Sequence, residues 1–122
     1  ICLGMQALFE TSEENGLCDG FGFLKGHVCH MEDTSVKIPQ IGWNVLESNQ
    51  PQTIFKENTY VYYVHSYYAK DMDDQDLIGY SMYGSMKIPG LVMHDRIMGC
   101  QFHPEKSGED GLKILEYFGK EF

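Results

Sequence analysis

Side chains that suit a pleated sheet crowd residues 60–68, YVYYVHSYY, more densely than anywhere else in the chain. That run of aromatic and β-branched residues predicts a strand at the centre of a sheet. HVCHM after Gly26, SVKI before Pro39 and IGWNVLE before the turn SNQPQ predict shorter strands. Further on, LIGYSMYG, GLVM and IMGCQF predict three strands in antiparallel hairpins, with turns at Gly84, Gly90 and the Asp95-Arg96 pair. Two segments carry helical signals instead. Residues 3–11, LGMQALFET, are rich in helix formers and predict a helix directly behind Cys2, followed by the glycine-punctuated loop SEENGLCDGFG. At the other end, GEDGLKILEYFGKEF spaces Leu112, Leu115, Phe118 and Phe122 by three and four, with Glu109 and Asp110 near its start. That is the pattern of a closing amphipathic helix with acids placed to suit its dipole.

Taken together these elements predict an α/β fold, a mixed sheet with antiparallel strands closed by a C-terminal helix. The 122 residues make a single domain of about the usual size. Neither a repeat nor a low-complexity segment interrupts it.

Charge narrows the partners. The chain carries 9 basic against 18 acidic side chains, a net charge of -9, which is the wrong sign for a binder of phosphate backbones. Nucleic acid is therefore not expected. Neither is a membrane, because no apolar run reaches spanning length and the first residues lack a signal-like core. A cytoplasmic setting is the expectation. The acidic run KDMDDQD is read as a solvated turn.

The four cysteines, Cys2, Cys18, Cys29 and Cys100, are expected to be free thiols, since a chain with a core of this size does not need staples. HVCH does not predict a metal centre. On a strand His27 and Cys29 share one face while His30 points to the other, and no second ligand pair completes a tetrahedron. No metal or cofactor is expected.

Two short motifs carry chemistry. In ICLGMQ, Cys2 precedes a predicted helix, with Gly4 two positions on, as in a strained strand-to-helix turn that presents a nucleophile. A helix starting there would aim its positive end at the sulfur and favour the thiolate, and the Leu3 N–H would face a developing oxyanion. Alone, Cys-x-Gly does not separate a nucleophile from an inert cysteine. In QFHPEKSG, His103 and Glu105 stand two residues apart, so an extended backbone sets both on one face, base beside orienter. Alone, this too describes an ordinary strand end. Together, Cys2, His103 and Glu105 make the three parts of a thiol triad.

CLGMQALFETSEE, GWNVLE, VYYVHSYY and GCQFHPEKSGEDGLKILEYF resemble the class I glutamine amidotransferases from Ile1 to Phe122. GWN, HSYY and HPEKSG narrow the resemblance to the branch serving histidine biosynthesis. It implies a flavodoxin-like fold in which Cys2 attacks the side-chain amide of L-glutamine, His103 relays a proton to the departing ammonia and Glu105 orients His103. It also implies that Leu3, Gly4, Gln6, Glu14, Ser66 and Tyr67 hold the substrate, Glu14 opposing its ammonium. Finally it implies a partner, a cyclase subunit built as a (β/α)8 barrel that receives the ammonia, at a surface including Trp43, Asn44, Tyr62 and Lys106. Taken alone, Trp43 reads as core, Tyr62 as a packed strand residue and Lys106 as a surface charge.

Members of this family carry parallel strands and a glycine-containing loop before the nucleophile. The expectation is therefore that this chain corresponds to the C-terminal part of the domain, with the N-terminal strands absent and sheet edges open to self-association. Two alternatives accompany that reading. One is a catalytically incomplete piece that keeps the fold and the partner surface, and the other is a glutaminase serving anthranilate or GMP synthesis.

Overall fold

The computed structural model describes residues 1–122. A single helical turn, α1 (Leu3–Gln6), is followed by nine strands, β1 (Phe9–Ser12), β2 (Cys18–Asp19), β3 (Leu24–His30), β4 (Gln40–Ser48), β5 (Thr59–His65), β6 (Tyr67–Lys70), β7 (Leu77–Tyr83), β8 (Met86–His94) and β9 (Ile97–Cys100), and by the closing helix α2 (Gly108–Glu121). Short 3-10 turns cover Asp74–Asp76 and Pro104–Lys106. The strands form a four-stranded sheet ordered β2-β1-β3-β6 and a five-stranded sheet ordered β5-β4-β7-β8-β9. The first is mixed, since β1 and β3 run parallel, and the second is wholly antiparallel. The predicted mixed sheet, hairpins and closing helix are all present.

Several elements depart from the expectation. The helix behind Cys2 stops at Gln6, and Phe9–Ser12 becomes a strand paired to β3. Phe9 is fully buried there beside Met5, Leu24 and Val28, so tertiary pairing overrides the helix preference of the neighbouring residues. SVKI forms no strand. Its loop is clipped to the β7–β8 turn by Asp33, whose Oδ2 accepts from the Ser85 N–H and hydroxyl, both at 2.7 Å.

The run 60–68 is not one central strand. It breaks at Ser66 into β5, an edge strand of one sheet, and β6, an edge strand of the other. Along β5, Val61, Tyr63 and His65 are buried while Tyr60 and Val64 are exposed, so only one face of this aromatic strand serves the core. Its free edge is covered by the His103 turn: the His103 N–H donates to the Tyr62 carbonyl at 2.9 Å.

Gly90 lies inside β8 rather than at a turn. A Cβ there would meet the Tyr63 hydroxyl at 2.6 Å and Leu46 Cδ1 at 2.8 Å, so the position is kept small by packing against side chains of β4 and β5. On α2 the buried residues are Gly111 and Ile114, whereas Leu112 and Phe118 are exposed. The helix thus rests on a narrower stripe than its leucine and phenylalanine spacing suggests. Asp76, at the end of the acidic run, is also buried, against the solvated reading of that segment.

Candidate active site

The end of β9 and the start of the chain meet here. The Cys2 N–H donates to the Cys100 carbonyl at 2.7 Å, which stitches the cysteine to the last residue of β9. Cys2 sits at φ 50 and ψ -110, a conformation that costs an L residue energy and that typifies a nucleophile held on a sharp turn. Behind it the Gln6 N–H closes onto the Cys2 carbonyl at 3.1 Å.

Across β9, Pro104 starts the next turn, and the His103 Nδ1 lies 3.1 Å from Glu105 Oε2. The carboxylate can only accept, so Nδ1 carries the proton and Nε2 is left to act as a base. Ser107 locks this turn in place: its hydroxyl donates to the His103 carbonyl at 2.6 Å and accepts from the Tyr62 N–H at 3.0 Å. Sequence reasoning passed over Ser107, although it stands inside the HPEKSG stretch.

The sulfur itself touches the Val64 carbonyl and the Gln101 side-chain amide, each at 3.7 Å. No hydrogen bond joins it to His103. Burial pushes the Cys2 thiol above its ordinary pKa and outweighs the opposing Leu3 N–H, with the charges of Glu14 and Glu105 adding a smaller upward push. This corrects the expectation of a thiolate favoured by the helix. One turn, Leu3–Gln6, is too short to carry much of a dipole, and desolvation outweighs it.

The substrate residues expected from the sequence fall around this sulfur unevenly. Glu14 lies close enough for its charge to act on Cys2. Gln6 is buried, and its amide nitrogen donates to the Tyr67 and Gln101 oxygens, both at 3.1 Å. Its own carbonyl oxygen makes no hydrogen bond within the chain, so it alone is left for a ligand. The Tyr67 carbonyl is already taken by Gln6 and by His65 Nδ1, while the Ser66 carbonyl accepts from Met31 N–H. Leu3 is 66% exposed, and a Cβ on Gly4 would find open space, so crowding does not explain that glycine here.

Two of the expected partner residues, Trp43 and Tyr62, lie on the outer face of β4 and β5. Trp43 pairs with Tyr62 across the strands, their rings edge to face at 5.8 Å. Ile41 opposite Val64 and Val45 opposite Tyr60 extend the apolar row. Trp43 is 57% exposed, which contradicts a core role. Asn44 turns its amide inward to the Met82 carbonyl at 2.8 Å, and Lys106 is exposed at the end of the His103 turn.

No group of three metal-ligating side chains gathers anywhere in the chain. The largest cleft, about 560 Å³ beside Lys70, Asp71 and Lys87, includes none of these site residues. No helix is long and apolar enough to cross a membrane.

The family profile described as "Glutamine amidotransferase class-I" matches residues 1–122. Among curated proteins the chain is 49% identical to the imidazole glycerol phosphate synthase subunit HisH of Lactococcus lactis, over 99% of this chain and 60% of that protein. It is 48% identical to the HisH subunit of Bacillus cereus, over 97% of this chain and 56% of that protein. With the HisH subunit of Desulfitobacterium hafniense the figures are 46%, 98% and 57%. The chain thus spans somewhat under two thirds of the length of these relatives.

Proposed function

The chain belongs to the class I glutamine amidotransferase family, and on that premise we propose that it supplies the thiol chemistry of a glutaminase subunit of imidazole glycerol phosphate synthase, in the cytoplasm. The Cys2 sulfur adds to the side-chain amide carbon of L-glutamine. The oxyanion collapses, the C–N bond breaks, and ammonia leaves with a proton delivered by His103, whose imidazolium is stabilised by Glu105. Water then cleaves the glutamyl thioester and regenerates the thiol. Glu14 and the free oxygen of Gln6 are the groups near the sulfur suited to a zwitterionic amide.

The observation that carries this reading is the placement of a strained cysteine and an oriented histidine at one strand end. The Cys2 backbone N–H is hydrogen-bonded to the Cys100 carbonyl of β9, and His103 Nδ1, three residues further, faces Glu105 at 3.1 Å. Ammonia released into water is protonated and ceases to be a nucleophile, so a receiving subunit is required. The outward row of exposed Trp43, Ile41, Tyr60 and Val64 with half-buried Tyr62 and Val45 has the aromatic character of an interface centre. We assign it, with Asn44 and Lys106 at its margin, to the (β/α)8 cyclase.

A second reading has its own support. The Cys2 sulfur engages Val64 and Gln101 rather than His103, as in a chain that keeps the partner surface without a completed relay. Glutamate release from L-glutamine, measured with and without the cyclase, decides between them. Turnover that is abolished by Cys2→Ala and by His103→Ala supports the glutaminase. Turnover that survives Cys2→Ala refutes the triad, and a chain that binds the cyclase without turnover establishes the second reading.

A further inference from the structure

Gln101 is fully buried just after β9, and its backbone N–H is fixed to the Gly90 carbonyl at 2.9 Å. Its side chain stands between Cys2 and a line of polar groups reaching back through the core. Gln40 Oε1 lies 2.6 Å from His65 Nε2, and His65 Nδ1 meets the Tyr67 carbonyl at 2.8 Å. That carbonyl also accepts from Gln6, which donates in turn to Gln101 Oε1, and Gln101 Nε2 faces the sulfur.

From His65 Nδ1 through the Tyr67 carbonyl to the sulfur, the direction of each hydrogen bond is determined. A backbone carbonyl only accepts, so His65 carries its proton on Nδ1 and Gln6 presents its NH2 group to Tyr67. On the far side of the ring Gln40 Oε1 lies 2.6 Å from Nε2, and burial lowers the His65 pKa. The second N–H of Gln6 then pins the oxygen of Gln101. With that oxygen held, Gln101 cannot flip, and it presents a donor to Cys2.

We propose that Gln101 is a positioning residue for Cys2, its locked side-chain N–H drawing the sulfur into the thiolate form and holding it on the turn, with Gln6, the Tyr67 carbonyl and His65 as its support. The proposal rests on Cys2 being the nucleophile. It explains how a half-buried sulfur ionises in a site where burial opposes the charge and Glu14 and Glu105 add to that opposition, with the Leu3 N–H assisting. It also gives the sulfur two positions. As a thiol it donates to the Val64 carbonyl; once ionised it is repelled by that oxygen and leans on Gln101.

The test needs no turnover. Alkylation of the chain by iodoacetamide across a pH series, read by mass spectrometry on the peptide containing Cys2, gives the midpoint of that thiol, with exposed Cys18 as an internal reference. Gln101→Met keeps the volume and removes the donor. The expected result is an upward move of the Cys2 midpoint by about one pH unit, or about tenfold slower alkylation below it, with Cys18 unchanged. Gln101→Glu, which sets a charge against the sulfur, moves it further. His65→Leu shifts the midpoint in the same direction, and His65→Asn, which restores a donor near Nδ1, reverses the shift.

An unchanged Cys2 midpoint in natively folded Gln101→Met overturns the proposal. Should that variant not fold, 15N-labelled wild-type protein decides. The Gln101 side-chain amide resonances are expected to move with the Cys2 titration and to lose that response in Cys2→Ser, and resonances that ignore the titration refute the contact. Failure here leaves the glutaminase assay untouched, while turnover surviving Cys2→Ala would remove the function and not the contact.

Discussion

Replacing Ser107 with alanine removes one oxygen that serves two backbone groups. The hydroxyl accepts from the Tyr62 N–H at 3.0 Å and donates to the His103 carbonyl at 2.6 Å, in a residue that is 2% exposed. Each bond left unmade costs about 1 kcal/mol or somewhat more where water does not reach, so Ser107→Ala should lose about 2 to 3 kcal/mol. A chain of 122 residues melts with an entropy of about 0.26 kcal/mol per kelvin, which turns that loss into a fall of about 8 to 12 °C in Tm. Circular dichroism melts measure it, with Lys106→Ala, one residue away and exposed, as the control expected to stay within about 0.5 kcal/mol.

The loss should be local as well as global. Hydrogen exchange at the Tyr62 amide should lose protection in Ser107→Ala and recover in Ser107→Thr, which keeps the hydroxyl. Under the proposed function, glutamine turnover should fall in parallel, because the same bond holds the backbone that carries His103. A melting point within about 2 °C of the Lys106→Ala control, with the Tyr62 amide still protected, would refute the claim that this hydroxyl ties the turn to β5.

The proposed triad could be put forward from the sequence because its parts are compressed into two short motifs. His103 and Glu105 are two residues apart, and a small set of backbone shapes brings such side chains together. What supports them was not legible. Gln6 and Gln101 are separated by 95 residues and Gln6 and Tyr67 by 61, so nothing local marks them as one line. Gln101 and His65 read as ordinary polar residues in strands until the fold shows what they face. Ser107 misleads in a different way. A serine immediately before a helix is the usual cap, yet its side chain makes no cap bond to α2 and turns to β5 instead.

The fold errors share a cause. Propensity describes what a segment does alone, and β1, the break at Ser66 and the outward row on β4 and β5 are decided by what packs against them. Phe9 becomes a strand residue because β3 offers it a partner and a core. Gly90 invites a turn assignment from its identity, yet it is required by the Tyr63 hydroxyl and Leu46 that approach its backbone. Trp43 shows the opposite limit: its type suggests core, and only register places it opposite Tyr62 on the open face.

Two further perturbations probe the core and the acidic turn. Tyr63 is fully buried, with its hydroxyl 2.7 Å from Ser81, which itself donates to the Val45 carbonyl at 2.7 Å. Tyr63→Phe should cost about 1 kcal/mol and Ser81→Ala about 2 to 3, because the latter strands a buried hydroxyl, while the double variant should cost less than the sum; additive urea unfolding energies would refute the chain of bonds. At the other end of the sheet, His94 Nδ1 lies 3.0 Å from Asp76 Oδ1. The hydrogen bond and charge of Asp76, with Asp95 and Asp73 adding, raise the His94 pKa above its ordinary value. A pKa raised on folding contributes stability that is fully present below the unfolded value of about 6.5 and is lost as pH rises through the folded one. His94→Gln should therefore lower Tm relative to wild type at about pH 5.5, and the gap should close by about pH 9 at fixed ionic strength. Because the imidazole is partly exposed, added salt should shrink the gap at the lower pH. A gap that stays constant across the series would mean that His94 contributes through packing and not through its charge.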